Sequence, residues 1–505
     1  MDGPGPEAFG PSPAERCGGS VQKKTSGLKD GLEYLFGRCR GAFGDGRSFE
    51  RARTLMLSEL LCLGRHTLSG LLTTCGQEGR DWSASYRLFE RARFDCRELF
   101  AVSREAVLER LPENSPLVVL MDDTLLRKRG HKVAGASWRR DPLGPHFTTN
   151  FIWAQRFLQI SCALPESDDG PSRARGIPVA FQSCPSPKKP GRQALPQDWE
   201  RYREQCRQSA ISRRAVEELQ TLRAELDADP KQAARILVAA VDGTFTNRTV
   251  IAKLPAKTVL LGRIRKDAKL HALPEAAPVR RGRRRVYGSR LPTPEQLRQD
   301  QSVPWQKVQA YAAGKVHEFQ LKTMGACRWK KAGAKVVRIV VIRPLGYRPA
   351  KGHRILYRQP AYLVCTDPEM PLERIIQYYV WRWEIELNFR DEKTLLGVGE
   401  AQVRTPTAVQ TVPQFKVAAY SLLLAAAECC TQNMTTPPKP KWNPTPPRAD
   451  QRITTQQMIA ALRAETWSRS LGTDNYAHFV KAKKQPTTMP KIADSAPNAV
   501  IYAFR

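Results

Sequence analysis

Histidine is scarce in this 505-residue chain: there are seven, and no two stand three to five residues apart, which argues against a histidine-based metal site. The 12 cysteines are scattered without a CxxC pair, and Cys429–Cys430 is the only adjacency. Neither a disulfide framework nor a zinc ribbon fits that spacing, so reduced thiols in a cytoplasmic compartment are expected. Long apolar runs are missing too. The longest, Val417–Cys430, is broken by Tyr420, Ser421 and Glu428, whereas a membrane-spanning helix needs about 20 apolar residues. The opening MDGPGPEAFGPSP has no basic start and no apolar stretch, so no signal peptide is expected. Acidic residues are the last shortage: 49 Asp and Glu face 81 Lys and Arg, a formal net charge of +32 spread along the whole chain. Such a balance implies a polyanionic partner, with nucleic acid foremost because each neutralised phosphate releases counterions.

What is present suffices for a real core, with 41% hydrophobic residues. The length fits two to four domains of roughly 150 residues, or one core with a large insertion. Residues 1–27 are rich in Gly, Pro and Ser and are expected to be disordered. From Leu28 to Leu111 the pattern is helical. Ser48 precedes FERARTLMLSELLCLG, whose apolar residues recur at three- and four-residue spacing. Thr67–Thr74, the turn CGQEGRD and a segment around Trp82–Arg93 make a candidate helix-turn-helix, although many helical bundles look alike. Residues 28–115 are therefore expected to be a helical DNA-binding domain. Removing residues 1–110 should then cost recognition of DNA more than folding of the remainder.

At Pro116 the periodicity changes. LVVLMDDT reads as a buried strand followed by a polar turn, and ARILVAAVDGT repeats that theme. Phe147–Leu164, Ile177–Phe181 and TVLLGRIR read as further strands, and Pro196–Ala228 as one long helix. The expected fold class is α/β, a mixed sheet whose first part spans 116–270. Residues 271–359 differ in character, with RRGRRR at 280–285 and alternating stretches such as KVHEFQLKTM and AKVVRIVVIRP. They are expected to be a β-rich insertion; RRGRRR fits either a phosphate-tracking run or a solvated loop. PAYLVCTD returns to the core at 360–433, followed by a helix Leu372–Leu396 and another near 408–430. The segment 434–505 holds a Pro-rich linker, 437–447, and a short helix, Thr454–Trp467.

Three acids stand out. Asp122 ends LVVLM, Asp242 ends ILVAAV, and Glu386 lies in the helix after PAYLVCTD. The carboxyl ends of buried strands are where α/β sheets place active sites. Any one such acid alone fits equally a turn or a helix cap. In YYVWRWEIELNFRDEK, Tyr379, Arg382, Glu386 and Lys393 stand at offsets 0, 3, 7 and 14, within about 60° of one another on an ideal helix. Beside them Ile376, Val380, Trp383 and Leu387 form an apolar stripe, expected to bury against the sheet. A solvated Arg382–Glu386 pair is the plainer alternative. Trp381 and Trp383 fit either base stacking or the core, with Trp383 expected in the core.

The spacing Tyr-x2-Arg-x3-Glu-x6-Lys at Tyr379, Arg382, Glu386 and Lys393 resembles the signature helix of DDE transposases of bacterial insertion sequences, in the insertion-sequence-four type group. MDDT at 121–124 and VAAVDGT at 238–244 resemble that family's two aspartate regions, and the likeness covers roughly residues 28–430. It implies an RNase H-like core, interrupted by the β-rich insertion, and cut-and-paste transposition of a DNA element. It implies catalytic and metal-binding roles for Asp122, Asp242 and Glu386, and DNA-holding roles for Tyr379, Arg382 and Lys393. A one-residue shift would make Asp123 the ligand in place of Asp122. A homodimer on paired DNA ends is implied by the family alone.

The chemistry has its own logic. Three converging carboxylates stay ionised together only if a cation offsets their repulsion. Oxygen donors without His or Cys select Mg2+ or Mn2+. Two such ions about 4 Å apart activate a water or 3′-hydroxyl and stabilise the leaving oxygen. The expected function is a transposase acting on terminal repeats and target DNA in the bacterial cytoplasm. The rivals are a metal-dependent nuclease on the same core and a catalytically silent DNA-binding derivative.

Overall fold

The helical pattern of the N-terminal region becomes five helices: α1 (Leu28–Arg38), α2 (Gly46–Leu61), α3 (Leu68–Thr74), α4 (Ser83–Glu90) and α5 (Cys96–Leu108). The structure, a computed structural model, describes residues 27–142, 144–145, 147–167, 170–275, 285–348, 352–430, 452–467 and 500. Apart from Gly27 and Arg285, the expected disordered N-terminus, the RRGRRR run and the Pro-rich linker lie outside the described residues. Helix α2 begins two residues ahead of Ser48. Asp45 caps it, accepting the Ser48 backbone N–H at 2.8 Å, because a carboxylate satisfies an orphan donor of the first turn.

The first strands are β1 (Leu117–Arg127), β2 (Ser137–Arg140), β3 (Phe151–Pro165) and β4 (Ala174–Ser183). The long helix expected next is two, α6 (Pro196–Gln208) and α7 (Ile211–Ala228). Only α7 buries a stripe, through Ala215, Val216, Leu219, Leu222 and Leu226, whereas α6 buries nothing. Then come β5 (Leu237–Val241), α8 (Arg248–Ala252), β6 (Thr258–Arg263), β7 (Leu270–His271) and α9 (Pro294–Gln299). Next are β8 (Gln306–Ala312), β9 (Lys315–Trp329), β10 (Val336–Ile342), β11 (Gly346–Tyr347), β12 (Leu356–Tyr357) and β13 (Ala361–Cys365). The chain continues with α10 (Leu372–Trp381), α11 (Glu384–Thr394), α12 (Ala408–Cys429) and α13 (Thr455–Trp467).

Eleven strands form one mixed sheet in the order β2-β3-β1-β5-β6-β13-β10-β9-β7, with β4 also beside β3 and β8 beside β9. β5 is parallel to both β1 and β6, and the remaining pairs are antiparallel. The segment expected as an insertion thus extends the core sheet through β10 and β13. Its strand β10 is apolar on both sides. Val337, Ile339 and Val341 enter one core cluster and Val340 and Ile342 the other, so it needs cover on both faces.

Strand alternation sorts the central side chains. On β1 and β5, Leu117, Val119, Met121, Leu237, Ala239 and Val241 face the layer that contains α5, α7 and α12. Val118, Leu120, Val238 and Ala240 face Ile375, Ile376, Ile385 and Phe389 of α10 and α11. Helix α12 is apolar all round and buried, as such a helix must be. It packs on α1, α2, α4 and α5 on one side and on β4 on the other. The N-terminal helices and the sheet therefore share one core, and α13 joins it against α1, α2 and α12. Residues 28–110 are part of this fold, not a removable module, because their loss uncovers α12. Inside α12, Pro413 has no N–H to give the Val409 carbonyl; Gln155 Nε2 donates to that oxygen at 3.4 Å. No described helix is long and apolar enough to cross a membrane.

Candidate active site

The β1–β5 ladder ends at the pair Met121↔Val241. Asp122 and Asp242 follow immediately. β5 stops there, whereas β1 runs on to Arg127 paired with β3, so the polar turn expected after LVVLMDDT does not form and Asp122 lies within its strand. Alternation continues the even-numbered side chains onto the face covered by α10 and α11. Asp242 is held by its own turn: its carboxylate accepts the Thr244 N–H at 2.8 Å and the Thr244 hydroxyl at 3.0 Å. Thr246 Oγ1 donates to the Asp242 carbonyl at 2.7 Å. Gly262 on β6 leaves room for that hydroxyl, since a Cβ there would lie 2.1 Å from Thr246 Oγ1.

Asp123 alternates to the opposite face of β1 yet also lines the same open groove as Asp122 and Asp242. Arg156 of β3 grips its carboxylate with two nitrogens at 2.6 and 2.8 Å, a bidentate pair that neutralises its charge. Asp122 has the opposite environment. Burial foremost, then the Asp242 charge, push its carboxyl up to about 7, against the pull of the Asp123 N–H and Arg382.

The expected continuous helix 372–396 is instead α10 and α11, joined by a tight turn at Arg382 and Trp383. Trp383, Ile385 and Glu386 each donate their N–H to the carbonyl three residues back, so the chain overwinds locally. This corrects the expected stripe. Trp383 is turned out of the core and stands 62% exposed, while Trp381 is buried and donates Nε1–H to the Ser172 carbonyl at 2.8 Å. Val380 and Leu387 are only half-buried, and Ile385 and Phe389 take their place against the sheet.

The overwound turn aims Arg382 at the acids. One guanidinium nitrogen lies 3.2 Å from Asp122 Oδ2 and 3.7 Å from Glu386 Oε1, so the two carboxylates face each other across a single atom. The pair is not a solvated i, i+4 contact, because the Arg382 side chain is mostly buried. The Tyr379 ring braces it, 5.9 Å from the guanidinium carbon. Lys393 lies farther along α11, with Nζ 5.8 Å from the Phe389 ring centroid. Asp122, Asp242, Glu386, Phe389, Arg390 and Lys393 line one open groove of about 1520 Å³, whose rim adds Arg65, Arg127, Arg129, Arg140 and Arg404.

Several residues that seat α11 carried no local signal. Asn388 donates to the Gly176 carbonyl at 3.0 Å and accepts from Ser161 Oγ at 2.9 Å. Arg452 reaches from the C-terminal segment to Glu384 at 2.8 Å, and Thr455 donates to Asp391 at 2.6 Å.

Among the described residues, no three of His, Cys, Asp and Glu stand close enough to cage a metal ion as placed. Arg382 lies between Asp122 and Glu386 and supplies the positive charge there. The donors nevertheless suit a hard cation. All are carboxylate oxygens, and a cation would offset both the burial and the Asp242 charge that together raise Asp122. Comparison with protein-family models and with curated proteins finds no match.

Proposed function

We propose that the chain is a DNA transposase of the DDE type, cutting at the ends of a mobile element and joining them to target DNA. The observation that carries this reading is the meeting of the signature helix with two aspartates that follow the last pair of the parallel β1–β5 ladder. Asp122 and Asp242 sit side by side, and Arg382 spans Asp122 and Glu386. A mixed sheet with acids where the pairing of two adjacent parallel strands ends, and a third on a helix packed over them, fits an RNase H-like core. The net charge of +32 and the basic rim of the groove fit a phosphate backbone running through it.

Asp122, Asp242 and Glu386 would hold the Mg2+ or Mn2+ ions, which when bound supply an activated hydroxyl and stabilise the leaving oxygen. The chain's own residues do the rest. Arg382 keeps the two acids facing until a phosphate competes for its guanidinium, whose planar fork suits bidentate phosphate contact. Tyr379 limits how far Arg382 can swing. Lys393, on the groove wall, offers a point charge to the backbone. Trp383, exposed beside Glu386, is free to stack on an unpaired base near the cut. Both phosphoryl transfers proceed without a covalent enzyme intermediate, and the work is done in the cytoplasm by two copies on paired ends.

The test is strand transfer. Purified chain, divalent metal and DNA carrying the inverted repeats that flank the coding gene should yield excised ends joined to a target plasmid. Cleavage without joined product would favour a nuclease. Binding without cleavage would favour the silent derivative.

A further inference from the structure

We infer that the β2–β3 ribbon is a stacking surface for unstacked bases of DNA, on the opposite side from the residues Arg139 and Ile152 that line the groove and meeting that groove at Arg140. It rests on the proposed function only in taking the substrate to be DNA. The register pairs Trp138 with Trp153 and Arg140 with Phe151. Alternation puts all four on one side of the ribbon. Trp138 is 60% exposed, Phe151 56%, and Phe147 in the connecting loop 89%. The two indole centroids lie 5.6 Å apart, and the His131 ring adds a third plane at 5.5 Å from Trp153 and 6.2 Å from Trp138. Trp153 is fixed in orientation by its Nε1–H, which donates to the Gly130 carbonyl at 3.1 Å.

A cross-strand tryptophan pair by itself steadies a ribbon. That role explains Trp153, yet it does not call for Phe147 and Phe151 in water beside it. Nor does it explain the charge. Residues 127–153 hold six Lys and Arg against one Asp, and that Asp141 is engaged by Arg127. Arg140, on the aromatic side, also lines the groove that holds the three acids. Flat rings interleaved with cations are what a single strand needs, its bases on the rings and its phosphates on the guanidinium groups. A duplex keeps its base faces stacked inside and cannot offer them to indoles. An acidic peptide would use the cations but not the rings.

The test uses the full chain and three labelled probes of roughly 20 nucleotides: oligothymidylate, a duplex of the same length, and an oligomer with abasic sites that keeps only the phosphates. Trp138→Leu should weaken oligothymidylate binding at least about fivefold and change duplex binding less than about twofold. Trp138→Tyr should retain most of the affinity, and the abasic probe should bind wild type as weakly as the Leu variant binds oligothymidylate. Equal affinity of wild type and Trp138→Leu for oligothymidylate overturns the inference, as does an equal loss on duplex. A change in oligomeric state with DNA binding intact also overturns it and makes the face a contact between copies. Should Trp138→Leu fail to fold, Phe151→Ser is judged on the same criteria. Cleavage is scored separately, so failure of the stacking surface leaves the reading of the groove standing.

Discussion

Asp122 costs the fold something. Unfolded, an aspartyl carboxyl titrates near about 4; folded, burial beside Asp242 pushes it up to about 7. Between those values the folded chain holds a proton that the unfolded chain has released. Stability therefore falls as pH rises through that window, and the whole penalty is present above it. Asp122→Asn removes the penalty while destroying the site. Raising the carboxyl that far is worth roughly 4 kcal/mol, part of it offset by losing the Arg382 contact, so the expected outcome is a gain of about 2–3 kcal/mol at pH 8, little gain at pH 4, and no cleavage. Thermal unfolding at the two pH values checks it, and equal shifts at both would contradict a buried, titrating carboxyl as the cause. Arg382 and Arg390 make a second comparison. Arg382 is buried between two acids, whereas Arg390 is exposed and pairs with its neighbour Asp391. Arg382→Ala should lower the salt slope of DNA binding by about one unit and reduce cleavage further than binding. Arg390→Ala should show the smaller cleavage defect, and the reverse order would mean that the signature residues are misassigned.

At the scale of the element, α11 is the part that must be seated accurately. Gly176 of β4 lets it approach: a Cβ there would meet Asn388 Oδ1 and Glu384 Cβ at 3.0 Å each. Gly176→Val should lift the helix off β4, cost about 1–3 kcal/mol and cut cleavage more than tenfold. Gly191→Ala, with nothing within 4 Å, should be silent in the same assays. The two aspartates were legible because an unbroken apolar run gives way to a carboxylate, at MDDT and again at VDGT; that β1 continues to Arg127 was not, since the pairing that extends it comes from β3. The break in the signature helix was not, because both segments carry helical periodicity through it. What turns Trp383 outward is the anchoring of Trp381 to Ser172, 209 residues away in sequence. Asn388 and Ser161 are likewise 227 residues apart, and Arg452 and Glu384 68 apart. Contacts at that range leave no periodic trace.

At the scale of the molecule, the N-terminal helices and α12 are joined by charge as well as by apolar surface. Lys416 of α12 is fully buried, donates to the His66 and Gly397 carbonyls, and pairs with buried Glu59 of α2 at 3.3 Å. His66 Nδ1 lies 2.9 Å from the same carboxylate. Lys416→Met leaves Glu59 buried without its cation and should cost about 3–5 kcal/mol, while adding Glu59→Leu should recover most of that loss. Thermal unfolding of the single and double variants decides it, and additive losses would mean the two residues do not act as a pair. On the proposed function, Asp122, Asp242 and Glu386 act together in metal-dependent cleavage of DNA. The most direct measurement is cleavage of end-containing DNA by wild type and by Glu386→Gln, each in Mg2+, in Mn2+ and in EDTA, with binding followed in parallel. The account predicts cleavage by wild type in either metal, none in EDTA, and none by Glu386→Gln, with DNA affinity nearly unchanged. Cleavage by the Gln variant at the wild-type rate, or by wild type in EDTA, would contradict it.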